Sequence, residues 1–165
     1  MRPLWRAHRD RASFTKALSR ASIAGLTGGT DAAISAVVKT LPPYAKLLGL
    51  TAIDRDGEAL FVMPFHADVV GRPGFLHGGA IAGLLEYAAF EALRSSIADP
   101  AVEMKPVTVT VDYMRGGTEG LGDTFAAATI ERLGNRIANV EACAWQAERA
   151  KPIATAQINF LLERP

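Results

Sequence analysis

From Gly78 to Phe90 the chain reads GGAIAGLLEYAAF, and Glu86 is its single charge. A carboxylate among apolar side chains costs several kcal/mol unless it is paired or neutral. An apolar surround also raises a carboxyl pKa, which suits a general base working near neutrality, and the same group can attack as a nucleophile. The plainer reading is a structural glutamate, hydrogen-bonded to neighbouring backbone or side chain. Gly78 and Gly79 open the helix, where unpaired N–H groups and the positive end of the dipole attract developing negative charge. Without a Cβ, a ligand carbonyl can approach that backbone closely, as in an oxyanion hole built from main chain. The same two glycines also suit a tight loop-to-helix turn. His77, directly before them, either hydrogen-bonds a substrate or holds the loop in shape; a histidine at a helix entrance is more often such a bridge.

The spacing adds a constraint. Glu86 follows Gly78 by eight residues, roughly 12 Å along a helix axis. One carbonyl cannot touch both within a single chain. If both serve it, Glu86 comes from another subunit's helix, and dimerisation becomes a condition of catalysis.

These residues need elements to hold them. LGLTAIDRDGEALFVMPF, from Leu48, reads as a hairpin turning at Asp56-Gly57. The loop HADVVGRPG follows, then a helix from about Gly78 to Ser96, closed by Asp99-Pro100. Three runs of alternating pattern come next. In VTVTVDYM, Val107, Val109, Val111 and Tyr113 share a face; TFAAATIERL and IANVEACAWQAE are separated by Gly134-Asn135. IATAQINFLL, after Lys151-Pro152, is the last strand. The expected order is two strands, a long helix, then four strands in a meander. A helix apolar nearly all round must be covered on most sides, so the expected α+β fold wraps an antiparallel sheet of about six strands around one central helix. The first thirty residues carry Arg2, Arg6, Arg9, Arg11, Lys16 and Arg20 against Asp10. They read as a basic helical extension or, alternatively, a targeting peptide. After the break at Gly28-Gly29, Asp31 is a plausible N-cap for DAAISAVVKTL, which ends before Pro42-Pro43. Residues 1–40 are thus expected to form an N-terminal helical extension and residues 41–165 the main domain.

Composition sets bounds. At 165 residues, 49% hydrophobic and 21% charged with a net charge of +1, the chain suits one globular domain. So even a balance gives no reason to expect nucleic acid or an anionic membrane as partner. No apolar run approaches the length of a membrane span. The lone Cys143 has no intramolecular disulfide partner, which points to a reducing, cytoplasmic setting. His8, His66 and His77 form no ligand spacing, and a dinucleotide glycine fingerprint and a G-x-S-x-G elbow are both missing. Neither a metal, a redox cofactor nor a Ser-His-Asp triad is expected.

Taken in order, HGG at His77–Gly79, the acid nine residues after the histidine, TVTVDYMRGG, GNRIANVEACAWQ and ATAQINFLL resemble the hotdog-fold acyl-CoA thioesterases of the phenylacetate-degradation (4-hydroxybenzoyl-CoA thioesterase-like) type. The resemblance covers roughly Leu41 to Leu162. It implies hydrolysis of an acyl-CoA thioester, a homodimer with active sites at the subunit interface, and coenzyme A as part of the substrate with no separate cofactor. By that resemblance Gly78, Gly79, His77 and Glu86 are the catalytic candidates. Gly71, Arg72, Phe75, Phe90, Asp112, Arg115 and Arg136 are candidates for binding substrate or CoA. Asp112 either lines the pocket or faces solvent, and Arg115 and Arg136 either meet CoA phosphates or are plain surface charges. Phe75, Leu76, Tyr87, Phe90 and Met114 either line an apolar pocket for an aromatic or medium-length acyl group or belong to the core. Edge strands and the extension could build a dimer of dimers.

Two positions depart from the pattern. Many relatives place Asn or Gln six residues before the histidine, where this chain has Gly71; His66, Asp68 or Arg72 would have to substitute. Relatives also have Arg-Pro where Arg115-Gly116-Gly117 stands, which predicts a looser turn. The missing amide favours a second reading, a non-catalytic module that binds an acyl-CoA or related acyl ligand. A third keeps the fold and exchanges hydrolysis for hydration or dehydration, but the Asp/His arrangement of dehydratase relatives has no match here.

Overall fold

The computed structural model describes residues 41–165. The expected N-terminal extension and the helix after Asp31 lie outside the described residues. The first described element is a short helix, α1 (Pro43–Leu47), which starts where the sequence suggested only a stop. Proline at the first helical position gives up no hydrogen bond there, so Pro43 can begin a helix.

The hairpin lies where the sequence put it. Strands β1 (Thr51–Arg55) and β2 (Glu58–Met63) pair antiparallel with Arg55 opposite Glu58. Asp56 and Gly57 both adopt positive φ, 57° and 81°, as a two-residue turn matched to strand twist requires. The Asp54 carboxylate accepts a hydrogen bond from Gly57 N–H at 3.0 Å. The following loop contains a short hairpin of its own, β3 (Val70–Arg72) with β4 (Phe75–Leu76). Helix α2 then runs Gly78–Ser96. It ends where the Arg94 guanidinium donates to the carbonyls of Ile97, Asp99 and Val102, closing the C-terminal turn with charge of the favoured sign.

The last four strands are β5 (Glu103–Tyr113), β6 (Thr124–Leu133), β7 (Ile137–Trp145) and β8 (Ala154–Glu163). Only three of them form the expected meander. The antiparallel sheet runs β1-β2-β6-β7-β8-β5, so among the described residues β5 lies on the far edge, paired to β8 alone. Only two residues, Gly134 and Asn135, precede the bend at Arg136 between β6 and β7, and they force those strands together. The longer connector 114–123 leaves β5 free to cross the end of the sheet.

Alternation on the inner face decides the packing. Ala126 on β6, Ala142 and Ala144 on β7, and Ala154, Ala156 and Ile158 on β8 are all buried against Leu84, Leu85, Ala88, Ala89 and Leu93 of α2. Alanine on both sides lets helix and sheet approach closely. A smaller cluster, Leu60, Ala127, Cys143 and Trp145, lies on the opposite face of the sheet. There Arg149 stacks over Trp145 at 4.7 Å and forms a two-pronged ion pair with Glu58. Burial pushes the Cys143 thiol up to about 11, so it is not a ready nucleophile.

Gly83 sits inside α2, where glycine costs about 1 kcal/mol relative to alanine. A Cβ there would meet Tyr44 Cε1 at 2.5 Å and Leu48 Cδ1 at 3.1 Å, so the bare backbone is what lets α1 lie on the helix. Gly83→Ala is therefore expected to destabilise the fold by about 1–3 kcal/mol in urea unfolding. In a Tyr44→Ala background the same change should become neutral or stabilising. An unchanged penalty in the double variant would show that the Tyr44 contact is not its cause.

Candidate active site

His77 is the N-cap of α2, in extended conformation with φ −71° and ψ 134°. Its Nδ1 accepts the Gly79 N–H at 2.9 Å, and its carbonyl accepts the N–H groups of Ala80 and Ile81 at 3.0 and 3.2 Å. A neutral imidazole that accepts at Nδ1 carries its proton on Nε2. The ring is exposed, so Nε2–H is offered outward. His77 thus serves as the bridge that its position suggested, while keeping one free donor.

The cap divides the two glycines. Gly79 N–H is engaged within the chain, whereas Gly78 N–H has no partner among the described residues. Gly78 N–H belongs to the peptide whose carbonyl, on His77, already receives two donors. Such chains polarise one another, which strengthens the free N–H as a donor. The peptide after it is held too, since the Tyr113 hydroxyl donates to Gly78 O at 2.8 Å and the Tyr44 hydroxyl to Gly79 O at 3.3 Å.

Gly71 supplies room rather than a bond. A Cβ at this position would lie 2.9 Å from His77 Cα and 3.2 Å from its Cδ2. An Asn or Gln could not enter without displacing the cap, so the departure at Gly71 and the placement of His77 go together. Nor does His66 or Asp68 take over an amide's place: His66 Nε2 lies 3.2 Å from Leu48 O, and its Nδ1 is 3.7 Å from the Asp68 carboxylate. Arg72 stacks on Phe75, its guanidinium carbon 3.8 Å from the ring centroid.

The connector after β5 is pinned, in contrast to the looser turn expected from its glycines. The Gln146 side-chain amide donates to Thr118 O and Gly122 O, while its oxygen accepts Thr118 N–H, each at 2.9 Å. Leu76 N–H donates to Gly117 O, and Glu119 N–H to Gly74 O. A Cβ on Gly117 would meet Leu76 Cδ1 at 2.6 Å, so close contact, and not slack, explains the glycine.

Along α2, Ala82, Glu86, Phe90 and Arg94 recur every four residues and are all half-buried. They form a stripe that this chain's own sheet leaves partly open. Glu86 makes no hydrogen bond or ion pair among the described residues, so none of these gives it the structural partner considered above. Phe90 packs toward Phe160, with centroids 6.4 Å apart. Burial raises the carboxyl pKa of Glu91, a residue absent from the sequence-based candidates. It accepts a hydrogen bond from Tyr87, whose own ring stands edge-on to Phe61.

The helix start, Gly71, Arg72, Phe75 and Arg115 gather at one end of the sheet. Arg115 donates there to Pro152 O at 2.7 Å. Asp112 is exposed and registers with Thr155, on the face turned away from the helix. Arg136 directly precedes β7 at the opposite end of the sheet, roughly 30 Å away by strand length. There it lines a shallow pocket with Asn135, Leu161, Leu162, Glu163 and Arg164. Tyr113 and Tyr44, which touch the helix start most directly, had shown only an alternating strand position and a place after two prolines.

A sequence profile of the thioesterase superfamily matches residues 73–153, the span from the helix entrance to the start of β8. The chain belongs to that superfamily. A protein of Halobacterium salinarum, named provisionally as an esterase, is 30% identical over 99 residues, or 57% of this chain. The match spans 64% of that relative's length. A solved structure from Chromobacterium violaceum is 34% identical, with a TM-score of 0.65 over 82% of this chain and 93% of that one. The Bacillus halodurans protein crystallised with CoA has a TM-score of 0.69 at 18% identity, covering 87% of this chain and 99% of that one. Together these neighbours place the six strands and central helix in the hotdog fold. Among the described residues no cluster suits a metal ion, and no helix is long and apolar enough to cross a membrane.

Two consequences are measurable. Gly71→Ala is expected to lower stability by about 1–3 kcal/mol in urea unfolding, because the contact it meets is backbone. Wild-type stability would show that the cap can yield. Glu91 has a folded pKa above its ordinary value of 4.5, because burial disfavours its charge more than Tyr87 and Arg94 favour it. Such a group weakens the fold at neutral pH, and the penalty is relieved as pH falls through the folded pKa toward the unfolded one. Glu91→Gln should raise Tm at pH 7, by less than about 1 kcal/mol equivalent given the solvent that reaches the group. The gain should vanish near pH 4.5; a gain that persists below it would contradict the burial cause.

Proposed function

We propose that this chain is an acyl-CoA thioesterase, releasing free acid and CoA. The observation that carries the reading is a pair of groups on one helix that have no partner among the described residues: the Gly78 N–H at its start and the half-buried Glu86 carboxylate on its open stripe. A thioester carbonyl oxygen accepts from Gly78 N–H, with the His77 Nε2–H as a second donor beside it. Charge building on that oxygen in the transition state meets fixed donors at the positive helix end. Glu86 activates a water, or attacks directly to give a mixed anhydride that water then cleaves.

Because the two groups are about 12 Å apart along one helix, Glu86 acts across a homodimer, on the carbonyl held by the partner's helix start. The edge strand β5 supports that assembly. It is eleven residues long and, among the described residues, paired on one side only, with Val107 and Val109 exposed. Arg72 and Arg115 lie at the right end of the sheet to meet the pyrophosphate of CoA. Arg136 reaches the same ligand only from another subunit. The Bacillus halodurans neighbour's bound CoA supports this ligand class. A second reading, a non-catalytic acyl-CoA binding module, is favoured by the absence of an amide at Gly71.

Thiol release from a panel of aryl- and fatty-acyl-CoAs separates the two. Wild type should turn over, and Glu86→Gln should lose a hundredfold or more in kcat while still binding substrate. Mixed dimers of Glu86→Gln with a Gly78→Val variant should regain activity that neither has alone, since one of their two sites is intact. Turnover untouched by Glu86→Gln would overturn the mechanism, and tight acyl-CoA binding without turnover would establish the binding module.

A further inference from the structure

Resting on the thioesterase reading, we infer that Tyr113 is a positioning residue, whose hydroxyl holds the Gly78–Gly79 peptide and through it sets the donors of the active site. That one peptide is fixed at both ends. Its carbonyl accepts from Tyr113 at 2.8 Å, and its N–H donates to His77 Nδ1 at 2.9 Å. Donation to the carbonyl polarises the amide and strengthens the bond at its other end. The bond to Nδ1 fixes the ring's tautomer, leaving the proton on Nε2. Tyr113 therefore acts on His77 without touching it, and on the plane in which Gly78 N–H presents itself.

The tyrosine is itself well placed to do this. Tyr113 ends β5 in register with Ala154, and the next two N–H groups, of Met114 and Arg115, both donate to Ile153 O. Its ring lies over Gly78, where an added Cβ would meet it at 3.3 Å. The crossing of β5 to the far edge of the sheet thus delivers a hydroxyl to the start of the helix. Tyr44 holds the next carbonyl by a longer bond of 3.3 Å and should matter less.

Tyr113→Phe keeps the ring and removes the hydroxyl. With an acyl-CoA that the wild type hydrolyses, it should lower kcat about tenfold while KM stays within about twofold, because a small tilt of a transition-state donor is felt in the chemical step. Tm should move by less than about 2 °C. Tyr44→Phe should cost kcat less than about threefold. A merely structural tyrosine would instead move Tm and KM and spare kcat, and either that pattern or wild-type kcat in Tyr113→Phe would overturn the assignment. The amide resonance of Gly79, followed by ¹⁵N–¹H NMR on the intact protein, reads the same tie without activity. It should shift upfield and exchange faster in Tyr113→Phe. If wild type turns over no acyl-CoA the thioesterase reading falls, and the Gly79 resonance alone decides: an unchanged signal overturns the tie, a shifted one sustains it.

Discussion

The bond from Gly79 N–H to His77 Nδ1 governs the end of the molecule where its chemistry would occur. A helix begins with N–H groups that lack internal partners, and a protein chooses which of them to satisfy. Here the histidine takes one, and its neighbour, Gly78 N–H, has no partner among the described residues. The cap requires close approach from several sides. Gly71 must lack a side chain for His77 to lie where it does, and Gly79 must lack one beneath the imidazole, since a Cβ there would meet Nδ1 at 2.9 Å. Glycine at these positions reflects contact distance more than backbone freedom, because neither residue adopts a positive φ. A rigid site has been made from the residue type most often associated with flexibility.

The sheet order explains how the rest of the fold reaches this cap. With β5 next to β6, its C-terminal end would not lie beside Ile153, and Tyr113 would not overhang Gly78. Placing β5 beyond β8 brings the end of an edge strand, the entrance of the helix and the connector 114–123 to one place. Gln146 then secures the connector with three hydrogen bonds from a fully buried position. That is a large commitment of polar groups to a loop, and it is consistent with a loop whose shape matters.

How much of this could be read from the sequence depended on the range of the interaction. The helix Gly78–Ser96 was legible to the residue, because Gly-Gly at one end and the turn before Asp99-Pro100 at the other are local signals. Asp56-Gly57 announced its hairpin for the same reason, both residues being suited to positive φ. The position of β5 was not legible, since alternation says which face a residue takes and nothing about the neighbouring strand. Tyr113 and Tyr44 were missed because each meets the helix start across 35 residues of chain. The face that Asp112 takes follows from its register with Thr155, again a tertiary fact. Gly71 looked like a loss when compared with relatives, and its contact with His77 shows what it accommodates.

Glu86 and Glu91 make the remaining point, because one helix treats its two carboxylates differently. Glu91 is drawn into the protein and given Tyr87 as donor and Arg94 as a nearby charge. Glu86, five residues earlier, receives neither among the described residues. Propensity cannot account for this, since glutamate is equally at home in a helix at both positions. Desolvation without a partner only destabilises, so selection for stability alone would have replaced Glu86 with alanine or leucine to match Ala82 and Phe90 on the same stripe. The group makes physical sense if its partner arrives from outside the chain, as the water and thioester of a neighbouring subunit's site would. In the proposed mechanism that carboxylate and the Gly78 N–H, neither with a partner among the described residues, are the two halves of one arrangement.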